Sequence, residues 1–294
     1  MKDCILQVIF VQIMKELPFL KHYGPWAVVT GASDGIGREM ALCLAEREFN
    51  LVLVARNQIT LTELSLELKS KYQIETRSLP LDLSRDSGVE IMIAQTRDLD
   101  VGLLINAAGF GTSGPFLDAQ LYNEIEMLKV NCKAVMKLSY HFGQRFCNQG
   151  RGGIIFMSSL LAFQGVPRAA HYSATKAYIQ TFAEGLHHEL SPFGVDVVSS
   201  APGPVATGFA KRAGMTMSLA LKARDVAEST LNALGKRSTI RPGWLSQLLE
   251  YSLKPLPRWG RVRMLQHVMK KMTQPQASAS ISTEGRLESK VVND

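Results

Sequence analysis

The sequence predicts an α/β chain, with a doubly wound parallel sheet of about seven strands in a single domain and a helical C-terminal extension. Three observations lead there. Short apolar runs of strand length alternate with longer helical stretches from Trp26 to about residue 240. The runs are continuously apolar and do not alternate with polar residues, so both faces of each strand must be covered. A glycine-rich turn follows the first run directly, and no Pro/Gly/Ser-rich linker divides the first 240 residues.

Taken in order, residues 26–30 (WAVVT) read as a buried strand, followed by the glycine-rich turn and a helix to about Glu48. Residues 51–55 (LVLVA) form a second strand and residues 61–72 a second helix. Residues 74–81 are strand-like, and residues 86–97 are helical. Residues 101–106 (VGLLIN) make a fourth strand, and a long helical stretch runs from about 119 to 147. Residues 153–158 are the fifth strand, followed by a helix bearing Tyr172. Residues 195–199 (VDVVS) are the sixth, and residues 238–241 a short seventh.

Around this body lie three other segments. Residues 1–25 form an N-terminal apolar extension before the domain of residues 26–243. Its core, residues 4–14 (CILQVIFVQIM), is shorter than the roughly 20 apolar residues that span a bilayer. Lys15 and Glu16 follow it in place of a small-residue cleavage site, so a helix packed on the body is expected, with an interfacial anchor as the alternative. Residues 244–272 form a basic helical segment, and the polar residues 273–294 are expected to be a disordered tail.

Composition narrows the function classes. The chain is 46% hydrophobic and 20% charged, which is that of a soluble globular protein. Cys4, Cys43, Cys132 and Cys147 have no C-x-x-C spacing, which points to reduced thiols in the cytoplasm. The six histidines contain no H-E-x-x-H, so no metal is expected. The net charge of +7 is local: nine Lys/Arg face one acid, Glu250, between Lys236 and Met272. Such a patch suits a membrane surface or an acidic substrate. With no recognition module beside it, nucleic acid is not expected.

The chemistry centres on Tyr172-Ser-Ala-Thr-Lys176. On a helix, residues four apart rise from one face. A phenol has a pKa of about 10, and an adjacent ammonium favours the phenolate, giving a proton donor and acceptor usable near pH 7. The spacing alone is common on helices, so its company decides. After the first strand come Thr30, Gly31, Ala32, Ser33, Asp34, Gly35, Ile36 and Gly37, with G-x-x-x-G-x-G spacing. Glycines there let backbone approach a pyrophosphate at a helix N-terminus.

T-G-x-x-x-G-x-G, then N-A-A-G, then Y-x-x-x-K resemble the short-chain dehydrogenase/reductase family over about residues 26–243. The resemblance implies a Rossmann-type fold and an NADP(H)- or NAD(H)-dependent oxidoreductase. It implies that Asn106, Ala107, Ala108 and Gly109 support the sheet and line the adenosine side of the cofactor. Asp82, followed by Leu83, would hold the adenine amine, and Asn131 a proton-relay water. Ser159, thirteen residues before Tyr172, would hydrogen-bond the substrate carbonyl, with Ser158 as runner-up. Pro202, Gly203, Val205 and Thr207 would meet the nicotinamide half. Tyr172 would be the general acid/base, and Lys176 would lower its pKa and bind ribose hydroxyls.

Cofactor choice turns on the end of the second strand, where Ala55-Arg56-Asn57 offers no carboxylate and one arginine for a 2′-phosphate. NADP(H) is therefore expected. Asp34 counts against it, and Arg38 is the candidate to compensate. The substrate loop should cover about residues 208–221, where Phe209, Met215, Met217 and Leu219 suggest an apolar lining. The stretch around the first strand is similar to hydroxysteroid dehydrogenases and very-long-chain 3-oxoacyl reductases. A ketone/secondary alcohol pair on a hydrophobic acyl- or steroid-like substrate is thus expected, with a homo-oligomer by family analogy. Aromatics interleaved with the basic residues 244–272 make peripheral membrane contact the expectation to test. The alternative reading is a non-catalytic NADP(H)-binding scaffold.

Overall fold

The computed structural model describes residues 19–215, 220–243 and 255–273. Most of the N-terminal extension, the tail after Thr273 and residues 244–254 lie outside the described residues. Seven parallel strands form one sheet in the order β3-β2-β1-β4-β5-β6-β7. They are β1 (Trp26–Thr30), β2 (Asn50–Ala55), β3 (Thr76–Pro80), β4 (Val101–Asn106), β5 (Gly152–Met157), β6 (Val195–Ser200) and β7 (Thr239–Ile240). The strand order reverses between β1 and β4, which opens a crevice at their C-terminal ends.

Helices cover both faces, as the unbroken apolar strands require. On one face lie α1 (Gly35–Ala45), α2 (Gln58–Tyr72) and a later helix, Ala223–Ala233. They bury Met40, Leu44, Leu61, Leu68, Val226 and Leu231 against Val29, Leu53 and Ile105 of the strands. On the other face lie α3 (Asp86–Ala94), α4 (Leu121–Leu128), α5 (Val135–Gln149) and α6 (Ala170–Leu190). Met92, Phe142, Phe146 and Ile179 pack there on Val28, Val52, Leu104 and Phe156. Val28 and Val29 thus serve opposite cores, the period-two consequence of the pleat. Beyond α6 come a short helix α7 (Phe209–Arg212), α8 (Ala223–Ala233) and α9 (Arg258–Thr273).

Several boundaries differ from expectation for identifiable reasons. Helix α2 starts at Gln58, three residues early, because the Asn57 side chain accepts from the Thr60 amide at 3.2 Å and caps it. Helix α3 stops at Ala94, short of residue 97. The long helix expected from 119 to 147 contains a π-helical segment, Lys129–Ala134, between α4 and α5. Helix α9 begins just after Pro257, and it runs through the buried Thr273, which the sequence assigned to the tail.

Candidate active site

Parallel strands deliver their C-terminal ends to one rim, and the chain spends its polar residues there. Helix α6 brings Tyr172 and Lys176 to that rim, both buried. The Lys176 amine donates to the Met157 carbonyl at 2.7 Å, at the end of β5, and sits 5.8 Å from the Tyr172 ring centroid. Ser159 follows β5 and hydrogen-bonds Tyr172, while its Oγ also accepts from the Leu161 amide at 3.1 Å. Ser158 is differently occupied: its Oγ donates to the Lys176 carbonyl at 3.2 Å. The geometry therefore separates the two serines, with Ser159 facing Tyr172 and Ser158 tying β5 to α6.

Asn131 lies in the π segment and is buried. Its Oδ1 accepts from the Phe110 amide at 3.1 Å, and its Nδ2 donates to the Phe110 carbonyl at 2.9 Å and to Thr175 Oγ1 at 3.1 Å. A π turn inserts an extra residue into the helical register, and such turns recur at functional sites. Here it coincides with the asparagine that clamps the turn after β4 to α6. A Cβ on Gly109 would lie 3.0 Å from Asn131 Oδ1 and 3.5 Å from the Lys176 amine, so the amide and the amine converge on one spot.

The electrostatics of the pair follow from burial. Burial pushes the Tyr172 phenol above its usual value, and its hydrogen bond with Ser159 only partly opposes this. Burial pulls the Lys176 amine down to about 8, against the influence of Cys132. The Lys176 amine is directed at the Met157 carbonyl, and desolvation is the largest influence on both groups.

The glycine-rich turn forms a cradle. Gly31 and Gly35 hold φ of +71° and +55°, and Cβ atoms there would lie 2.9 Å from Ala108 Cα and 2.9 Å from Thr207 Cγ2. The turn thus touches both the Asn106–Gly109 stretch and the loop after β6, leaving a narrow backbone-lined groove at the N-terminus of α1. Gly37 is buried, whereas Ser33 and Ile36 are half-buried along the turn. Of the loop after β6, Pro202 and Val205 are buried, and Gly203 and Thr207 are half-buried.

Thr30 and Asn106 hydrogen-bond into the protein at the rim of the sheet. The Thr30 hydroxyl accepts from the Ala107 and Ala108 amides at 3.0 and 3.1 Å and donates to the Ile105 carbonyl at 3.0 Å. Asn106 is buried, with its Nδ2 on Ser139 Oγ at 3.3 Å. Both brace the crevice: the Thr30 hydroxyl is fully engaged, and Asn106 ties β4 to α5 through Ser139.

The charges near the adenosine side also sort themselves. Asp34 accepts from the Gly35 amide at 2.7 Å and from the Gly208 amide at 3.2 Å, so its carboxylate caps α1 and tethers the loop after β6. Arg38, the candidate to compensate for it, pairs with Glu67 on α2 at 2.7 Å. Arg56 is exposed at the end of β2 and, among the described residues, makes no ion pair. Burial raises the Asp82 carboxyl, but hydrogen bonds from Ser84 and the charges of Arg56 and Arg85 outweigh it and hold the group below its usual value. Leu83 beside it is buried.

An apolar roof closes the site. Phe209 lies 5.4 Å from the Tyr172 ring, and Gly111 is pinned between the two rings. Met127, Ala213, Met215 and Met269 of α9 join Tyr172 in one buried cluster, with Leu265 and Met272 against it. Met217 and Leu219 lie outside the described residues. Sequence reasoning missed Thr175, the partner of Asn131, and the pair His171 Nδ1–Glu124 Oε2 at 2.7 Å, which holds the start of α6. The only available signal was adjacency to Lys176 and Tyr172, because contacts 44 and 47 residues apart leave no local pattern.

Residues 25–217 match the family model described as short chain dehydrogenase. The chain is 32% identical over 262 residues to a very-long-chain 3-oxoacyl-CoA reductase of Pyrenophora tritici-repentis, covering 85% of this chain and 76% of that protein. It is 31% identical over 233 residues to a 7beta-hydroxysteroid dehydrogenase of Clostridium sardiniense, covering 78% and 89%. Among solved structures, a short-chain dehydrogenase from Sphingobium yanoikuyae in complex with NADPH superposes with a TM-score of 0.72 at 27% identity, covering 80% and 97%.

Proposed function

The chain belongs to the short-chain dehydrogenase family, and from that premise we propose that it reduces ketones on hydrophobic, acyl- or steroid-like substrates, with Tyr172 as general acid. It is an NADP(H)-binding oxidoreductase acting on CH–OH and C=O groups. The observation that carries the finer reading is the convergence of Tyr172, Ser159, Lys176 and Asn131 beside the glycine cradle. The positive-φ glycines, the N-terminus of α1 and the unpaired Arg56 suit the pyrophosphate and 2′-phosphate of NADP(H).

Bound NADP(H) supplies or takes up the hydride. The protein's part is orientation and protons. A carbonyl oxygen between Ser159 and Tyr172 receives two hydrogen bonds, and the charge that develops on it is met by those donors in a site closed by apolar side chains. Tyr172 then releases its proton to that oxygen, and a nearby Lys176 ammonium favours the phenolate left behind. Asn131 holds the turn at Phe110 against α6, which keeps the lysine and the tyrosine in register. In oxidation the same phenolate takes the proton back.

The test is consumption of NADPH and NADH against 3-oxoacyl thioesters, steroid ketones and small aromatic ketones. Turnover with NADPH and at least one bulky apolar ketone is expected, with NADH poorer by about tenfold or more, as loss of one charge-assisted contact implies. Tight NADPH binding with no turnover across the panel would favour the scaffold reading.

Two surfaces support finer proposals about partners. Among the described residues no helix is long and apolar enough to cross a membrane. Helix α9 carries Arg258, Arg261, Arg263, Lys270 and Lys271 with no acid, and its Trp259 is 70% exposed while Met269 faces the roof. That arrangement suits peripheral contact of a cytoplasmic enzyme with an anionic lipid surface. Charge reversal at Arg263, Lys270 and Lys271 should release the protein from phosphatidylserine vesicles in flotation; indifference to it would end this proposal. Ile125, Leu128, Met136 and Tyr178 are exposed along α4, α5 and α6, which supports a homo-oligomer through that face. Sedimentation velocity would reveal a monomer if that is wrong.

A further inference from the structure

We propose that Arg212, on the roof helix α7, is a second phosphate ligand for NADP(H), so that cofactor binding latches the substrate roof. The inference rests on the NADP(H) reading above and adds to it a residue from the other side of the groove.

The roof is already attached to the cofactor cradle at two points and to the loop after β4 at a third. The Gly208 amide donates to Asp34, Thr207 abuts Gly35, and Ser113 Oγ donates to the Ala213 carbonyl at 2.6 Å. Between them, Arg212 is laid across the turn after β4. Its guanidinium carbon lies 3.8 Å from the centroid of the Phe110 ring, whose backbone is the one Asn131 clamps. A guanidinium on an aromatic face keeps its five donors free along its edge. That geometry suits an arginine positioned for an oxyanion rather than used for folding.

The charges around it point the same way. Burial, and then repulsion from Arg56, hold the Arg212 guanidinium below its usual value, with Asp82 opposing. Two arginines from opposite walls, one at the end of β2 and one on the roof, therefore feel each other across the groove. Among the described residues neither forms an ion pair with a carboxylate. Asp82, the acid that both feel, is nearest to Arg85 instead, at 3.8 Å. Two like charges that share a single carboxylate, itself beside Arg85, are incompletely compensated, and a phosphate between them lowers the cost.

The consequence is an order of events. Helix α7 bears Arg212 at its end and Phe209 at its start, and Phe209 packs on Tyr172. A phosphate drawn to Arg212 thus fixes the ring that borders the reacting tyrosine, and the ketone enters beneath a roof that the cofactor has ordered.

The experiment is NADPH and NADH binding by fluorescence titration to the full chain, wild type against Arg212→Gln and Arg212→Lys, at low and moderate salt. Arg212 is exposed, so the variants should fold, which circular dichroism checks. Arg212→Gln is expected to weaken NADPH by about 10- to 100-fold and to flatten its salt dependence, with Arg212→Lys partly restoring it. Loss confined to NADPH assigns the contact to the 2′-phosphate, and equal loss with NADH assigns it to the pyrophosphate; either supports the proposal. Unchanged affinity for both cofactors overturns it while leaving the oxidoreductase reading intact. A wild-type chain that binds neither cofactor would overturn that reading and this one together.

Discussion

Tyr172→Phe should lower the rate of ketone reduction by about 10²- to 10⁴-fold, the usual contribution of a positioned proton donor, while NADPH still binds. The substitution removes one hydroxyl from a buried ring and keeps the rest. The ring's contacts with Phe209 and the roof cluster persist, so the fold should be undisturbed. Ser159 loses one partner but keeps the Leu161 amide. Single-turnover measurement with saturating NADPH isolates the chemical step from cofactor binding. A variant that reduces the ketone at near wild-type rate would remove Tyr172 from the mechanism, whatever the family resemblance says. A variant that neither binds NADPH nor melts cooperatively would mean that the ring is structural first.

The second large effect is expected at Lys176, and its sign follows from burial. The amine is held at about 8, so it is an ammonium below that pH and neutral above it. If the ammonium stabilises the phenolate that Tyr172 leaves behind, reduction by the wild type should fall as pH rises through about 8. Lys176→Met should lower the rate by about 10²-fold or more and abolish that limb. Stability moves the other way. A lysine whose folded pKa lies below its unfolded value binds fewer protons when folded. Its burial therefore costs stability in full below about pH 8, and the cost is relieved as pH rises towards the unfolded value. Thermal melts from pH 7 to 10 should show the wild type gaining on Lys176→Met. Parallel curves for the two proteins would mean that the amine is not desolvated as its burial implies.

Much of this was legible locally. β1, β2, β4 and β5 could be read because each centres on an unbroken apolar run, whereas β3 (TRSLP) lies at the sheet edge and carries little apolar signal of its own. The glycine turn, Arg56, Tyr172 and Lys176 were legible because their meaning depends on spacing within one element. The ion pair of Arg38 was not legible because its partner, Glu67, lies on a different helix. The hydrogen bonds of Thr30 and Asn106, to backbone and to Ser139, were not legible because their partners lie on other elements. The π segment at Asn131 was invisible, because its six residues have ordinary helix-forming side chains and the register shift becomes useful only when Phe110 and Thr175 stand opposite.

The sequence by itself determined the α/β sheet, the glycine-rich turn after its first strand and the helical spacing that nominates Tyr172 and Lys176. Periodicity, glycine placement and helical spacing are properties of neighbouring residues. Only the tertiary structure decided that Ser159 rather than Ser158 faces Tyr172, and that burial sets the pKa of both Tyr172 and Lys176. It alone brought Arg212 over Phe110, and α9 over the roof. Desolvation and long-range contact depend on which surfaces the packed chain closes together, and no local pattern of residues encodes that.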